Sequence, residues 1–171
     1  NFIEPLEYCP LEIDTRKHWK LSRLVFQEVS NQAQPRRIKA TLIEPNYLCG
    51  HTTNYCFVKQ GVICDLLFLL GILNSSLVNY YFKYFNNTNH VPIGEIKKMP
   101  LCLDTSSREY TQIITLTKSM LALCIKTQTA KTSSEKQQLQ DHIDYTDKKI
   151  DELVCKLYGL TEDEIAVIES I

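Results

Sequence analysis

The first 60 residues alternate short apolar segments with polar loops. Three segments, residues 24–29, 38–43 and 55–58, are rich in β-branched and aromatic side chains, and polar or proline-containing stretches separate them. Short runs of this kind, bounded by turn-forming residues, are typical of β-strands. The pattern therefore predicts a small, largely antiparallel sheet with turn residues between its strands.

Two helices are predicted next. Residues 66–73 are almost continuously apolar and follow Asp65, which is a suitable N-cap; residues 76–85 follow Asn74 and Ser75, either of which could cap a second helix. The apolar run is much too short to cross a bilayer. We therefore expect a buried helix and no membrane partner.

The last third of the chain has helical spacing. Apolar residues recur at intervals of three and four within residues 113–123 and again within residues 139–157, and the polar stretch 126–136 separates the two stripes. This pattern predicts an antiparallel helical hairpin with a coiled-coil seam. Gly159 is a helix stop, and the capping-box sequence that begins at Thr161 predicts a short terminal helix. The expected fold class is α+β: a small, largely antiparallel sheet with packed helices, then the hairpin and the terminal helix.

Charge divides the chain at about the same place as the pattern. Residues 1–100 contain 11 Lys and Arg against 8 Asp and Glu, a net charge of +3, whereas residues 101–171 contain 8 against 12, a net charge of −4. We therefore place a boundary near Asp104 and predict two parts, residues 1–104 and residues 105–171. The formal total of −1 excludes a uniformly basic coat protein for nucleic acid, but it leaves room for a local basic surface.

The familiar catalytic and nucleotide-binding motifs do not occur in the sequence. It contains neither GxxxxGK[ST] nor GxGxxG, no HExxH, no GxSxG, and no Asn-Pro-Pro-aromatic motif of the kind that amino-methyltransferases use. We therefore predict that this chain is not itself an enzyme. It begins with Asn1, without a signal peptide, and its seven cysteines include no CxxC pair, so we expect a cytoplasmic piece of a longer protein.

One group of residues has the chemistry of a zinc site. Thiolates of Cys49, Cys56 and Cys64, with the imidazole of His51, could close a tetrahedron around Zn²⁺. Their spacing fits no common zinc module, and two of the cysteines lie in apolar surroundings. Buried thiols beside a loop histidine are the favoured interpretation, so no metal is predicted, and a zinc-stabilised domain is a minor hypothesis.

Polar and basic side chains in and around the predicted loops have the chemistry of contacts to DNA. Arginine pairs with guanine, and asparagine or glutamine pairs with adenine, through two hydrogen bonds each; lysine and threonine can contact phosphates. Composition alone favours ordinary solvated loops. The candidate DNA-binding residues are Gln32, Gln34, Arg36, Arg37, Lys39, His51, Thr52, Asn54, Lys97 and Lys98.

The order of several motifs along the chain is more specific than any one of them. The three strand segments are followed by Leu-Asn-Ser-Ser-Leu-x-Asn-Tyr-Tyr at residues 73–81, Lys-Lys-Met-Pro-Leu at residues 97–101, and Asp-Glu-Leu-Val-Cys-Lys-Leu-Tyr-Gly-Leu-Thr at residues 151–161. This arrangement resembles the C-terminal target-recognition domain of Type IIG restriction-modification enzymes and of adenine-N6 DNA methyltransferases of the TaqI and Eco57I kind. Type I specificity subunits are similar more distantly. The resemblance extends from about Leu21 to the C-terminus.

The resemblance implies a function and a set of partners. Residues 1–104 would recognise double-stranded DNA, and residues 105–171 would be a spacer that docks this part on the catalytic domain of the same polypeptide. In such enzymes the methyltransferase and nuclease domains lie upstream, so S-adenosylmethionine and Mg²⁺ are expected for the parent enzyme and no cofactor for this chain. Base contacts differ between members of the family, so none is carried over by position. The alternative hypothesis is a coiled-coil protein-interaction module without DNA binding.

Overall fold

The computed structural model describes residues 2–3, 18–59 and 61–170. In chain order its elements are β1 (Phe2–Ile3), β2 (Arg23–Gln27), β3 (Ala40–Ile43), β4 (Thr53–Cys56), α1 (Leu66–Asn74), α2 (Ser76–Phe85), α3 (Ile93–Ile96), β5 (Leu101–Cys102), α4 (Arg108–Thr129), α5 (Ser133–Leu157) and α6 (Glu162–Glu169). The predicted α+β class is confirmed.

The main sheet has three antiparallel strands in the order β3-β2-β4. Strand β2 lies in the centre, and its residue Phe26 is opposite Ala40 on one side and Asn54 on the other. The sequence pattern predicted strand segments slightly different from these, and it missed the pairing of β1 with β5. Strand β3 begins at Ala40 rather than at residue 38 because a side chain from α2 bonds the preceding backbone N–H groups, as described below.

Helix α1 forms the centre of the hydrophobic core. Phe68, Leu69 and Ile72 are buried between the sheet and the later helices, which explains why the sequence of α1 is apolar on every side. Asp65 caps the helix as predicted, since its Oδ1 accepts a hydrogen bond of 2.7 Å from the Leu67 N–H. Among the described residues no single helix is long and apolar enough to cross a membrane; only α1 and α2 together meet that test, and they are bent by 59°.

Helices α4 and α5 pair as the predicted antiparallel hairpin. The start of α4 contacts the end of α5, where Lys156 forms an ion pair of 2.6 Å with Glu109. Most of the polar stretch 126–136 is helical, and the connection between the two helices is residues 130–132. This stretch contains no Gly or Pro, and its Lys, Gln and Glu residues favour an exposed helix. The side chain of Thr132 caps α5.

The hairpin closes its apolar seam within the chain. Ile113 from α4 and Ile150 and Val154 from α5 belong to the same core cluster as α1 and the sheet. These three side chains therefore have apolar neighbours within the chain and are not available to another coiled-coil partner. The core continues across residue 104, and the division into residues 1–104 and 105–171 stays a prediction about function.

The terminal helix follows its predicted signals. Gly159 has a φ of 69°, which favours glycine, and the Leu160 N–H bonds the Cys155 carbonyl across the helix end. Thr161 and Glu164 form the predicted capping box at the start of α6.

Gly71 permits the close approach of α1 to α4, and its replacement tests this packing. A Cβ atom at Gly71 would lie 2.7 Å from Thr117 Oγ1 and 2.8 Å from Ile113 Cγ2. Gly71→Ala is therefore expected to lower the free energy of unfolding by about 1–3 kcal/mol, despite the better helix propensity of alanine. Urea denaturation monitored by circular dichroism measures the change. Gly94→Ala, where the added Cβ meets no atom within 4 Å, is the control, and equal stability of the two variants would contradict the described contact.

Candidate nucleic-acid interface

Three polar segments meet at the end of the sheet where β2 ends and β3 and β4 begin. They are residues 28–32, 52–54 and 87–91. The Ser30 N–H bonds the Asn89 carbonyl at 2.8 Å, and the Val91 N–H bonds the Glu28 carbonyl at 2.7 Å. The Glu28 N–H bonds the Thr52 carbonyl at 3.0 Å. Backbone pairing thus holds the three segments side by side.

The exposed side chains of these segments are mostly amides, hydroxyls and imidazole. We define the polar rim as seven polar residues of these segments, of which Asn54 is half-buried and the others are exposed: Asn31, Gln32, Thr52, Asn54, Asn87, Asn89 and His90. Gln32 Nε2 donates to the Asn87 carbonyl at 2.8 Å, and the Gln32 N–H donates to Asn89 Oδ1 at 3.2 Å. Asn54 is half-buried and its Nδ2 donates to the Val91 carbonyl at 3.0 Å. These bonds leave further amide donors and acceptors available at the surface.

The structure brings some of the predicted contact residues together. Gln32, Thr52 and Asn54 belong to the polar rim, and His51 is exposed beside Thr52 in the chain. Asn87 and Asn89 were not predicted as contacts. Their sequence indicated only a polar loop after α2, and their position depends on pairing with a segment more than fifty residues earlier.

The structure corrects the assignment of Arg37 as a candidate DNA contact. Its side chain is only 1% exposed. Its Nη1 donates to Asn86 Oδ1 at 2.7 Å, and its Nη2 donates to the carbonyls of Thr88 at 2.5 Å and His90 at 3.1 Å. The guanidinium also lies 4.9 Å from the centre of the Phe82 ring. Arg37 therefore does not lie on the surface that could contact DNA; it supports the segment 86–90 from inside.

Arg36 is also directed away from the polar rim. Its guanidinium forms ion pairs with Asp147 at 2.6 Å and with Asp151 at 2.5 Å, both on α5. Because protein carboxylates already bind its donors, Arg36 leaves the set of candidate DNA contacts. The two arginines that the sequence placed in one DNA-binding loop thus bind different groups of residues within the protein.

The remaining candidates lie outside the polar rim segments. Gln34 is half-buried in a turn of the β2–β3 loop. Lys39 is exposed just before β3 and borders a groove of about 420 Å³ between the sheet and the hairpin. Lys97 and Lys98 follow α3, the first half-buried and the second exposed. DNA contact by these four residues stays a prediction.

The zinc hypothesis finds no support in the described residues. Among them, no three His, Cys, Asp or Glu side chains come close enough to hold a metal ion. Cys56 belongs to the hydrophobic core, where burial raises the pKa of its thiol to about 12. Burial, together with the neighbouring Asp65 carboxylate, also raises the pKa of the Cys64 thiol to about 12. A raised thiol pKa makes the loss of the proton that zinc binding requires less favourable at both cysteines.

Comparison with known families identifies a specificity domain. A family model described as the TaqI-like C-terminal specificity domain matches residues 6–101, which is more than half of the chain. The matched part includes β2, β3, β4 and the helices α1, α2 and α3, and therefore the whole polar rim. A search of curated proteins gives no match.

Proposed function

We propose that this chain recognises a specific sequence in double-stranded DNA for a restriction-modification enzyme, because it belongs to the family of TaqI-like C-terminal specificity domains. The observation that carries this proposal is the polar rim: amide, hydroxyl and imidazole side chains, all exposed except the half-buried Asn54, on three segments that backbone hydrogen bonds hold in fixed relative positions. Asparagine and glutamine side chains can bond an adenine edge with a donor and an acceptor at once, which gives direct sequence readout.

The fixed positions of the rim segments also support recognition rather than loose attachment. Gln32 is held from two directions by Asn87 and Asn89, so part of its conformational freedom is lost before any ligand binds. A preorganised side chain loses less entropy when it bonds a base, and a wrong base then leaves it unpaired.

Phosphate contacts have to come mainly from outside the polar rim. Its seven residues include no lysine or arginine, and Arg36 and Arg37 are both engaged within the protein. We propose Lys39, Lys97 and Lys98 as phosphate contacts, supplemented by the catalytic domain of the parent enzyme. With so few charges, the affinity of this chain alone should be modest and should fall weakly with salt.

The proposed parent enzyme is an adenine-N6 DNA methyltransferase, with or without an endonuclease activity, in the cytoplasm. We propose that its catalytic parts bind S-adenosylmethionine and Mg²⁺, while this chain carries out no chemistry. The hairpin of α4 and α5 would dock on the catalytic domain. The acidic balance of residues 101–171 supports a protein-docking role for the hairpin over a DNA-contacting one.

Replacement of Gln32 tests whether the polar rim recognises bases. The unmodified chain is incubated with a pool of duplexes that have a randomised central segment, and the bound duplexes are sequenced over several rounds. The unmodified chain should bind the selected duplex more tightly than duplexes changed at one base pair. Gln32→Ala is expected to reduce this difference in binding free energy by about 1–3 kcal/mol, because a bidentate base contact is lost.

Gln128→Ala, on the exposed surface of α4, is the matched control and should bind like the unmodified chain. Failure of the unmodified chain to enrich any sequence would refute the proposed function. If Gln32→Ala weakens binding equally on every duplex, with a shallower salt dependence, then Gln32 contacts phosphate and not a base.

A further inference from the structure

Arg36 joins the β2–β3 loop to the helical hairpin. Its Nη1 donates to Asp147 Oδ1 at 2.6 Å, and its Nη2 donates to Asp151 Oδ2 at 2.5 Å and to Ser76 Oγ at 2.9 Å. The partners are 40 to 115 positions away in the chain. We call Arg36, Ser76, Asp147 and Asp151 the Arg36 clamp.

Asp151 connects a third element to the clamp. It accepts hydrogen bonds from the Ser76 N–H at 2.9 Å and from Ser76 Oγ at 2.6 Å, at the first turn of α2. One carboxylate thus binds the loop that carries Gln32 and the start of the helix that leads to Asn87. The segment that contains Gln32 and the segment that contains Asn87 are thus both connected to Asp151 on α5.

The charges and hydrogen-bond geometry of the clamp are those of a stable structural contact. Asp147 and Asp151 are four residues apart on one helix face, where two like charges repel, and the planar guanidinium between them bonds both at once. The side chains are 26%, 39% and 21% exposed for Arg36, Asp147 and Asp151. Burial alone would lower the pKa of Arg36, but the hydrogen bonds and charges of the two carboxylates raise it, so the guanidinium stays charged.

Arg36 and its neighbour Arg37 face different partners. Arg37 bonds the carbonyls of Asn86, Thr88 and His90, below the polar rim. Arg36 bonds α5. Because the two residues are adjacent, the backbone at residues 36–37 connects the Arg36 clamp to the Arg37 contacts below the rim.

We propose that Arg36 is a positioning residue for DNA recognition. Held by Asp147 and Asp151, it fixes the β2–β3 loop on α5, so that the hairpin sets the position of the polar rim. This inference rests on the proposed function of the rim, and it gives the hairpin a part in sequence discrimination in addition to docking.

Hydrogen–deuterium exchange of the whole chain tests the clamp without DNA. Arg36→Met keeps most of the side-chain volume and removes the charge-assisted bonds. The amides of residues 29–34 and 87–91 should then exchange about tenfold faster, while those of α1 are unchanged. In Arg36→Lys, which keeps the charge but not the planar guanidinium, these amides should exchange at rates between those of the unmodified chain and those of Arg36→Met. Lys149→Met removes an ion pair of 2.6 Å with Glu152 on the same helix and is the matched control. Unchanged exchange in Arg36→Met would overturn the inference.

Selection from the randomised duplex pool tests the effect on recognition. For Arg36→Met, the ratio of affinities for the selected duplex and a scrambled duplex should fall about tenfold, and affinity for the scrambled duplex should stay within about twofold of the unmodified chain. If the unmodified chain selects a sequence and Arg36→Met discriminates equally well, the inference fails and the proposed function stands. If the unmodified chain selects no sequence, the proposed function fails and the inference falls with it.

Discussion

Replacing Arg37 with methionine is expected to lower the free energy of unfolding by about 3–5 kcal/mol, a large part of the stability of a domain of this size. The substitution removes the donor that binds the carbonyls of Asn86, Thr88 and His90. It also removes one donor from the Asn86 side-chain oxygen, which keeps a bond of 3.2 Å from the Thr88 N–H. Asn86 is 4% exposed, and a buried acceptor without a donor costs more than the net value of the bond that is lost.

The network around Arg37 explains why a positive charge is tolerated in the interior. Asn86 accepts from Arg37 through Oδ1 and donates through Nδ2 to the carboxylate of Glu95, so an amide connects the two charges. Burial lowers the pKa of Arg37, and the negative charge of Glu95 opposes this shift. Carbonyl dipoles and one carboxylate thus replace the water that surrounds an exposed guanidinium.

Urea denaturation of matched variants measures the contribution of Arg37. Arg37→Lys keeps the charge but not the several fixed donors, and should lose about half as much stability as Arg37→Met. Lys39→Met, which removes an exposed positive charge two residues away, is the control and should change stability by less than about 0.5 kcal/mol. A loss in Arg37→Met as small as that of the control would contradict the buried network.

The contrast between Arg36 and Arg37 shows where prediction from the sequence stopped. Two adjacent arginines in a polar loop are usually exposed, and nothing within ten residues indicated otherwise. Apart from the Ser30 carbonyl, which Arg37 bonds at 3.4 Å, the partners of the two side chains lie 40 to 115 residues away in the chain. Pattern analysis of one sequence contains no information about such distant pairs. Features with local causes were predictable: the caps at Asp65, Ser75 and Thr161 each bond a backbone N–H within three residues.

The polar rim was predicted only in part for the same reason. Gln32, Thr52 and Asn54 follow from the position of loops between strands, which the hydrophobic pattern indicated. Asn87 and Asn89 become part of the same surface only because residues 28–30 pair with residues 89–91. The start of β3 was misplaced because an amide side chain, not a neighbouring strand, bonds the backbone there.

That amide belongs to Asn79, and Asn79→Ala is expected to lower the free energy of unfolding by about 2–4 kcal/mol. Asn79 is 1% exposed, and its Oδ1 accepts from the N–H groups of Arg37 at 2.8 Å and Ile38 at 2.7 Å. Its Nδ2 donates to the carbonyls of Leu73 and Ser75 at the break between α1 and α2. Alanine would leave the two buried N–H groups without an acceptor, and the penalty for a buried donor without a partner is about 1–3 kcal/mol each.

The position of Asn79 also connects the break between the helices to the candidate interface. The same side chain holds the segment that contains Arg36 and Arg37, so Asn79→Ala should speed amide exchange at residues 36–38 as well as lower stability in urea denaturation. Asn87→Ala removes an amide from the exposed surface, leaves the backbone carbonyl that bonds Gln32 in place, and should keep the stability of the unmodified chain. Equal stability of Asn79→Ala and Asn87→Ala would show that the backbone N–H groups at residues 37 and 38 do not depend on the Asn79 side chain.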